Sequence, residues 1–322
     1  MTASFRSENG MALMVVLWAV TLFGIVLAAF AFSMRTEVDA ARNFKDEAEA
    51  AELARAGIAK SLATLDELLL RSPADVVVPP SVIEGRLGRG GYRVVVVDED
   101  SKVSLNRTQP DVVRRLLENT GVRDRELRDT IVDAILDWRD PDDLHRLHGA
   151  ETAYYQSLRW PYHAKNADFD VVEEVLLVKG MTPEIFYGNV GERLAVLAAQ
   201  DPDARALRSG EYLGIRPFLT VHGSGQLDPG TASFEALMAH GLSPDRARAV
   251  IEARRRGTMI AAPVAGAVPG LAAATRSRTY TLESRGRVDG SSIEYQVGAV
   301  VTSQGPPGRR GFVVLAWREG EP

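Results

Sequence analysis

The chain is expected to fold as an α+β protein in which a long N-terminal helix packs on an antiparallel sheet and a large α-helical domain is inserted between the strands. Three observations predict this. Met11 to Met34 is a run of 24 residues without a charge, and helix-forming sequence continues beyond it to Leu70. Short β-branched runs stand at Tyr92–Asp98 and again from Thr279 to Trp317. Between these runs, from Pro110 to about Arg256, apolar residues recur three and four apart, the spacing of helix faces.

The first element is a membrane anchor. A 24-residue helix rising 1.5 Å per residue is about 36 Å long, enough to cross a hydrocarbon core of ~30 Å. A cleaved secretory signal needs a basic start and a shorter apolar stretch, and residues 1–10 hold one Arg and one Glu. Arg6 alone sets little orientation bias. From Arg35 to Leu70 there is no Pro, the only glycine is Gly57, and Leu53, Ala56, Ile58, Leu62, Leu65 and Leu69 fall on one helical face. One helix of about 60 residues, half in lipid and half amphipathic, is expected, about 90 Å long if straight.

Ser72 to Pro80 breaks this helix, and Gly85–Gly91 reads as a loop or turn. Tyr92–Asp98 reads as a strand, with Val103–Asn106 extending or pairing with it. In the helical block, Val112, Leu116 and Leu117 form one stripe and Ile131, Val132, Ile135 and Leu136 another. After Ala261 a Gly/Pro/Ala-rich loop intervenes. Strands then run from Thr279 to Val301 and from Phe312 to Trp317, separated by Gly305-Pro306-Pro307-Gly308, with Gly286 and Gly290 read as hairpin glycines.

Composition excludes several chemistries. With no cysteine, disulfides, thiolate metal sites and thiol catalysis are out. A net charge of −5 argues against a chain-wide nucleic-acid surface. There is no nucleophile elbow, phosphate loop or dinucleotide fingerprint, and no repeat of 20–50 residues. An enzyme is not expected, nor a small-molecule substrate.

The densest chemistry lies at Asp137-Trp138-Arg139-Asp140-Pro141-Asp142-Asp143, followed by Gly149-Ala150-Glu151 and Tyr154. Four carboxylates within seven positions repel one another and favour a cation, and oxygen donors in a Pro-containing turn suit calcium. The other reading is a solvated acidic turn. His145, His148 and Glu151, three apart, have zinc-like spacing, but Pro141 and Gly149 disfavour the regular helix this needs. Phe234–Met238 and Ala247–Arg256, joined through Gly241-Leu242-Ser243-Pro244, resemble a helix-hairpin-helix module, which grips DNA phosphates in some proteins and is plain packing in others. A membrane-anchored DNA-binding or uptake protein is therefore the alternative function.

The polar leader ending in Gly10, the apolar run from Met11 and the long continuous helix together resemble the type IV pilin family. That resemblance implies cleavage between Gly10 and Met11 by a prepilin peptidase and methylation of Met11. The fifth mature position, where most pilins carry Glu, is Val15. The K-type minor pseudopilins of type II secretion (the GspK family) lack that Glu, and a carboxylate in lipid is costly unless paired. The chain is also similar to that family at Asp137, Trp138, Asp140, Asp142, Gly149, Ala150, Glu151 and Tyr154, at Asn166, and from Val171 through Val175 to Val178-Lys179-Gly180-Met181-Thr182-Pro183-Glu184. A helix-hairpin-helix also occurs in that family, although its usual N-x-N-T-A is here Gln226-Leu227-Asp228-Pro229-Gly230-Thr231-Ala232.

The resemblance implies a leader over 1–10, a transmembrane helix over 11–34, a pilin-like domain formed by 35–107 and 275–322, and an inserted α-helical domain over 108–260. It implies a role in type II secretion, forming or capping the tip of a pseudopilus that supports protein export across the outer membrane. The expected partners are the I and J types, then the H type, the prepilin peptidase and the inner-membrane platform, with no nucleic acid. The chain would sit in the inner membrane by a single span, its C-terminal body in the periplasm. Calcium is the implied cofactor, with Asp140, Asp142 and Glu151 as ligands and Asp137 and Asp143 as further candidates. Trp138 reads as a core anchor.

Overall fold

The computed structural model describes residues 9–71, 80–189, 210–256, 279–304 and 311–320. Helix α1 runs unbroken over Asn9–Arg71, 63 residues, as the absence of proline allows. Every residue from Met11 to Met34 is exposed, so the apolar run has no protein partner among the described residues. From Ala50 onward one face is covered: Ala50, Leu53, Ala54, Ile58 and Leu65 pack against the sheet. Burying a side chain such as Ile58 contributes about 1.5–3 kcal/mol, so the second half of α1 is held by the body, and the first half, uncovered, is long and apolar enough to cross a membrane.

The sheet has five antiparallel strands in the order β1-β2-β5-β6-β7. They are β1 Val82–Leu87, β2 Gly90–Asp98, β5 Thr279–Val288, β6 Glu294–Gln304 and β7 Gly311–Glu319. Val94, Val96, Leu282, Val297, Ala299 and Val301 alternate inward against α1. Two glycines let helix and sheet approach closely. A Cβ on Gly57 would meet Val94 Cγ2 at 2.9 Å, and one on Gly286 would run into the Ala50 carbonyl. Gly286 is thus a mid-strand packing glycine, paired with Tyr92 and Tyr295, and not the turn residue expected; Gly290, at φ 77°, is.

Two further expectations are corrected. Gly85–Leu87 belongs to β1, and only Gly88-Arg89 turns, because Gly88 adopts the left-handed φ of 58° that a two-residue hairpin needs. Val103–Ser104 does not join Tyr92–Asp98. As β3 it pairs in parallel with β4, Leu219–Thr220, and Val103 and Leu105 sit in the core of the inserted body.

That body is less regular than its periodicity suggests. Helices α2 (Pro110–Asn119) and α3 (Arg125–Arg139) are regular, and Asp124 caps α3 by accepting from the Glu126 and Leu127 N–H groups. From Asp140 to Asn189 the chain is mostly loop, holding α4 (Thr152–Gln156), a 3-10 turn at Val172–Leu177 and α5 (Pro183–Tyr187), since Pro141, Gly149, Pro161 and Gly180 interrupt longer helices. Leu116, Leu117, Ile131, Ile135, Trp138, Tyr155 and Phe186 form the shared core. Helices α6 (Phe234–Ala239) and α7 (Pro244–Arg255) follow, capped by Ser233 and Ser243 and joined through Gly241 at φ 95°, with a small core of their own.

Three consecutive acids join the sheet to the inserted body. Glu99, buried, accepts from Lys102 Nζ at 3.0 Å, Thr281 Oγ1 at 2.7 Å and Thr220 Oγ1. Asp98 accepts from Thr231 Oγ1 at 2.6 Å and Asp100 from the Ser224 N–H at 2.7 Å. Strand β2 is thereby tied to β5, β4 and the loop before α6 within a single turn of chain.

Candidate metal centre

Helix α3 delivers the first acids and Pro141 ends it. Asp140 is the C-cap, extended at ψ 158°, its N–H still bonded to the Leu136 carbonyl. The chain then folds back so that Glu151, the N-cap of α4, faces it. Oxygens of Asp140, Asp142 and Glu151 lie within 4.8 Å of one another, and this is the group of potential metal ligands among the described residues. Neither His145 nor His148 joins it, so the zinc-like spacing assembles no site here.

Glu151 is the most informative member. It is 5 % exposed, yet neither carboxylate oxygen has a hydrogen-bond partner. A buried unpaired polar group costs about 1–3 kcal/mol, more when charged. Burial is the main cause raising its pKa from 4.5 to about 7, and the negative charges of Asp137, Asp140, Asp143 and Asp142 add to it. Asp140 Oδ1 and Asn166 Oδ1 are also buried without partners. Four orphaned oxygens face no donor, which is the state a hard cation relieves.

The other two candidate acids do different work. Asp137 is fully buried and accepts from Arg146 Nη1 at 2.6 Å and from the Arg146 N–H at 3.1 Å. Arg146 Nη1 also meets Asp140 Oδ2 at 2.6 Å, so one guanidinium offsets two carboxylates. Asp143 accepts from Asn166 Nδ2 at 3.0 Å, and that nitrogen also reaches the Asp142 carbonyl. Asn166 holds φ 50°, a left-handed conformation that asparagine tolerates best among non-glycine residues. Asp137 and Asp143 therefore shape the turn while Asp140, Asp142 and Glu151 converge.

Sequence reasoning did not find the supports of this turn. A Cβ on Gly149 would overlap Asp137 Oδ2, so the glycine of Gly149-Ala150-Glu151 makes room for the buried carboxylate. Lys179 donates to the His148 and Gly149 carbonyls at 3.2 and 3.0 Å and stands over the Tyr154 ring at 5.1 Å. Leu144 N–H donates to Asp142 Oδ1 at 2.9 Å, and His148 N–H to Asp133 at 3.1 Å. Only the small size of glycine and the length of lysine hint at these contacts, and all but the Leu144–Asp142 turn join residues far apart in sequence. Trp138 is buried at the end of an aromatic cluster, edge-on to Tyr155 at 5.4 Å and stacked on Phe169.

The two helices expected on either side of Gly241 are present, and their arginines are partly consumed. Arg254 donates to the Ala232 carbonyl at 2.8 Å, Arg256 pairs with Glu252, and Arg248 pairs with Asp245. Arg115 of α2 donates to the Ala239 carbonyl at 2.6 Å, seating the module on the helical body. These contacts are those of a packing unit.

Comparison with known proteins agrees with this picture. Residues 94–188 match the family described as "Type II secretion system (T2SS), protein K". A protein of Escherichia coli strain K12, whose name assigns it to protein K of a type II secretion system, is 41% identical over 75 residues. That match covers 23% of this chain and 23% of the relative, so the chain spans about a quarter of the length of the curated relative it matches. In a solved structure, the GspK–GspI–GspJ complex of the type 2 secretion system of enterotoxigenic Escherichia coli, a chain aligns with TM-score 0.56. The alignment is 14% identical and covers 90% of this chain and 100% of that one, a likeness of fold. The matched family segment contains every signature residue from Asp137 to Glu184, so the resemblance to the K type and the pilin-like α+β fold are both borne out.

Proposed function

We propose that this chain is a minor pseudopilin of the K type, working in type II secretion as a structural subunit without catalytic activity. The observation that carries the reading is one combination: a K-type segment over 94–188 mounted on a 63-residue helix whose apolar residues Met11 to Met34 are left uncovered. Such a helix has two environments that suit it, lipid and the helices of neighbouring subunits. A subunit that starts in the inner membrane and is later drawn into a filament meets both in turn. Val15 at the fifth position of the run suits the tip of a filament, because no carboxylate there waits for an earlier subunit.

In this reading a prepilin peptidase removes residues 1–10 and Met11 is methylated. The body stands in the periplasm, and the I and J types, then the H type, are the partners. The solved complex described above places a GspK with GspI and GspJ, which supports the choice of partners. The inserted body widens the subunit beyond its helix and sheet, so that a further subunit cannot stack above it.

The acidic turn is assigned to calcium. Asp140, Asp142 and Glu151 would supply carboxylate oxygens and Asn166 its amide oxygen, with Asp137 and Asp143 holding the turn. A bound divalent cation supplies the charge that relieves five clustered carboxylates, of which Arg146 offsets two. This pins the loop after α3 to α4, a stretch that otherwise has little regular structure of its own.

Intact mass of the membrane-purified protein, expressed with and without a prepilin peptidase, tests the assignment. Loss of Met1 to Gly10 with one added methyl group, only when the peptidase is present, is expected. An unchanged full-length mass would refute it.

A further inference from the structure

The outer face of the sheet, away from α1, carries a feature that the proposed role does not use. Two rows of side chains cross four strands there. In one row Arg86 of β1, Gly91 of β2, Arg287 of β5 and Glu294 of β6 are register partners. In the next, Glu84, Arg93, Arg285 and Gln296 are. Gly91 has no side chain, so it forms the floor of a groove of about 660 Å³ with arginines around it.

The charges in this groove do not balance. Arg86 pairs with Asp289, Arg93 with Glu84, and Arg287 with Glu294 at 3.8 Å. Arg285 lines the same groove and has no carboxylate partner among the described residues. It also stands directly across from Arg93, and like charges at opposed positions on neighbouring strands repel. The three existing pairs are exposed and contribute little individually, so an incoming anion can share their guanidiniums at small cost.

The geometry selects the kind of anion. Arg285 and Arg287 are alternate outward positions of β5, ~6.8 Å apart, and Arg86 lies two strands from Arg287, roughly 10 Å at about 4.8 Å per strand. Those spacings suit alternate side chains of an extended polypeptide better than one compact ion. Lipid headgroups do not reach. The Gly91–Arg287 end of the groove lies level with Ala50–Ala54 of α1, because Gly90 abuts Leu53 and Gly286 abuts Ala50 and Ala54. That is 16 residues past Met34, or about 24 Å along the helix, against a headgroup layer of about 6 Å.

We propose that this groove, with Arg285 and Arg93 at its centre, is a docking site for an acidic extended segment of a partner protein. The partner's Asp or Glu side chains would form charge-assisted bidentate pairs with the arginines while its backbone lies over Gly91. The site is independent of the calcium assignment and of leader processing.

The full chain in nanodiscs of a neutral phosphatidylcholine supplies the test, with a fluorescein-labelled hexaglutamate peptide as probe, followed by anisotropy at low salt. Saturable binding is expected, weakened at least tenfold by Arg285→Gln and further by Arg93→Gln with Arg285→Gln. Arg246→Gln, an exposed charge loss on α7, should change it less than twofold. Binding that Arg285→Gln leaves intact, or that Arg246→Gln weakens equally, overturns the proposal. Complete displacement by inorganic phosphate at matched charge overturns it in favour of a small-anion site. Stronger association with nanodiscs containing an anionic phospholipid, lost in Arg285→Gln, overturns it in favour of a lipid surface.

Discussion

Replacing Glu151 by Gln should reverse its effect on stability according to whether calcium is present. Without the cation, burial and four neighbouring acids raise the Glu151 pKa from 4.5 to about 7, so the folded state favours the neutral acid. Stability from this group is complete below pH 4.5 and is lost as pH rises through about 7. By pH 8 the loss is on the order of 3 kcal/mol, at about 1.4 kcal/mol per tenfold change in proton affinity. For a body of this size that corresponds to roughly 6 °C in Tm. Gln at 151 cannot ionise and so escapes the loss. In EGTA at pH 8, Glu151→Gln should melt several degrees above the unsubstituted protein, and at pH 4 the two should coincide. In millimolar calcium at pH 8 the order should invert, because only the carboxylate gains from the cation. Thermal melts of the detergent-solubilised chain followed by circular dichroism would read this directly. If the two proteins keep the same order with and without calcium, the turn is a solvated acidic cluster and the metal assignment falls.

Two further substitutions test how the body is held. Gly149→Ala would drive a methyl group into the buried Asp137 carboxylate and part it from Arg146; a loss of about 3 kcal/mol in urea unfolding is expected, together with loss of the calcium response. Unchanged stability would mean that the turn has room that its packing does not show. Glu99→Ala would strip acceptors from Lys102, Thr281 and Thr220 at the junction of sheet and inserted body. It should cost about 2–3 kcal/mol and speed hydrogen exchange at Val103 and Ser104, whereas a loss below 1 kcal/mol would assign the junction to apolar packing instead.

Local physics made much of this protein legible. The candidate anchor followed from the absence of charge over Met11 to Met34, and α1 from the absence of proline, both properties of neighbouring residues. Strands β2, β5, β6 and β7 were visible as β-branched alternation. Strand β1 was not, because Gly85 and Arg86 read as a turn and only pairing with β2 holds them extended. The stretch after Asp140 looked helical because its apolar residues recur, yet its prolines and glycines made them pack from loops.

The acidic turn divides in the same way. Clustered carboxylates and a proline made Asp137–Asp143 a candidate site from the sequence alone, while Glu151 entered as a ligand only through the resemblance to the K-type family. Which acids converge was a tertiary matter. Arg146 takes up Asp137, Asn166 from 23 residues away takes up Asp143, and the fold leaves Glu151 buried without a partner. Sequence by itself determined the apolar run at the start of α1, the long helix, the alternation of the strands and the store of negative charge, because each depends on residues within a turn or two of one another. The tertiary structure decided the role of Gly286, the partner of Val103, the ligand-competent subset of acids and the arginine groove, because each depends on which distant residue arrives opposite, and chain spacing does not encode that.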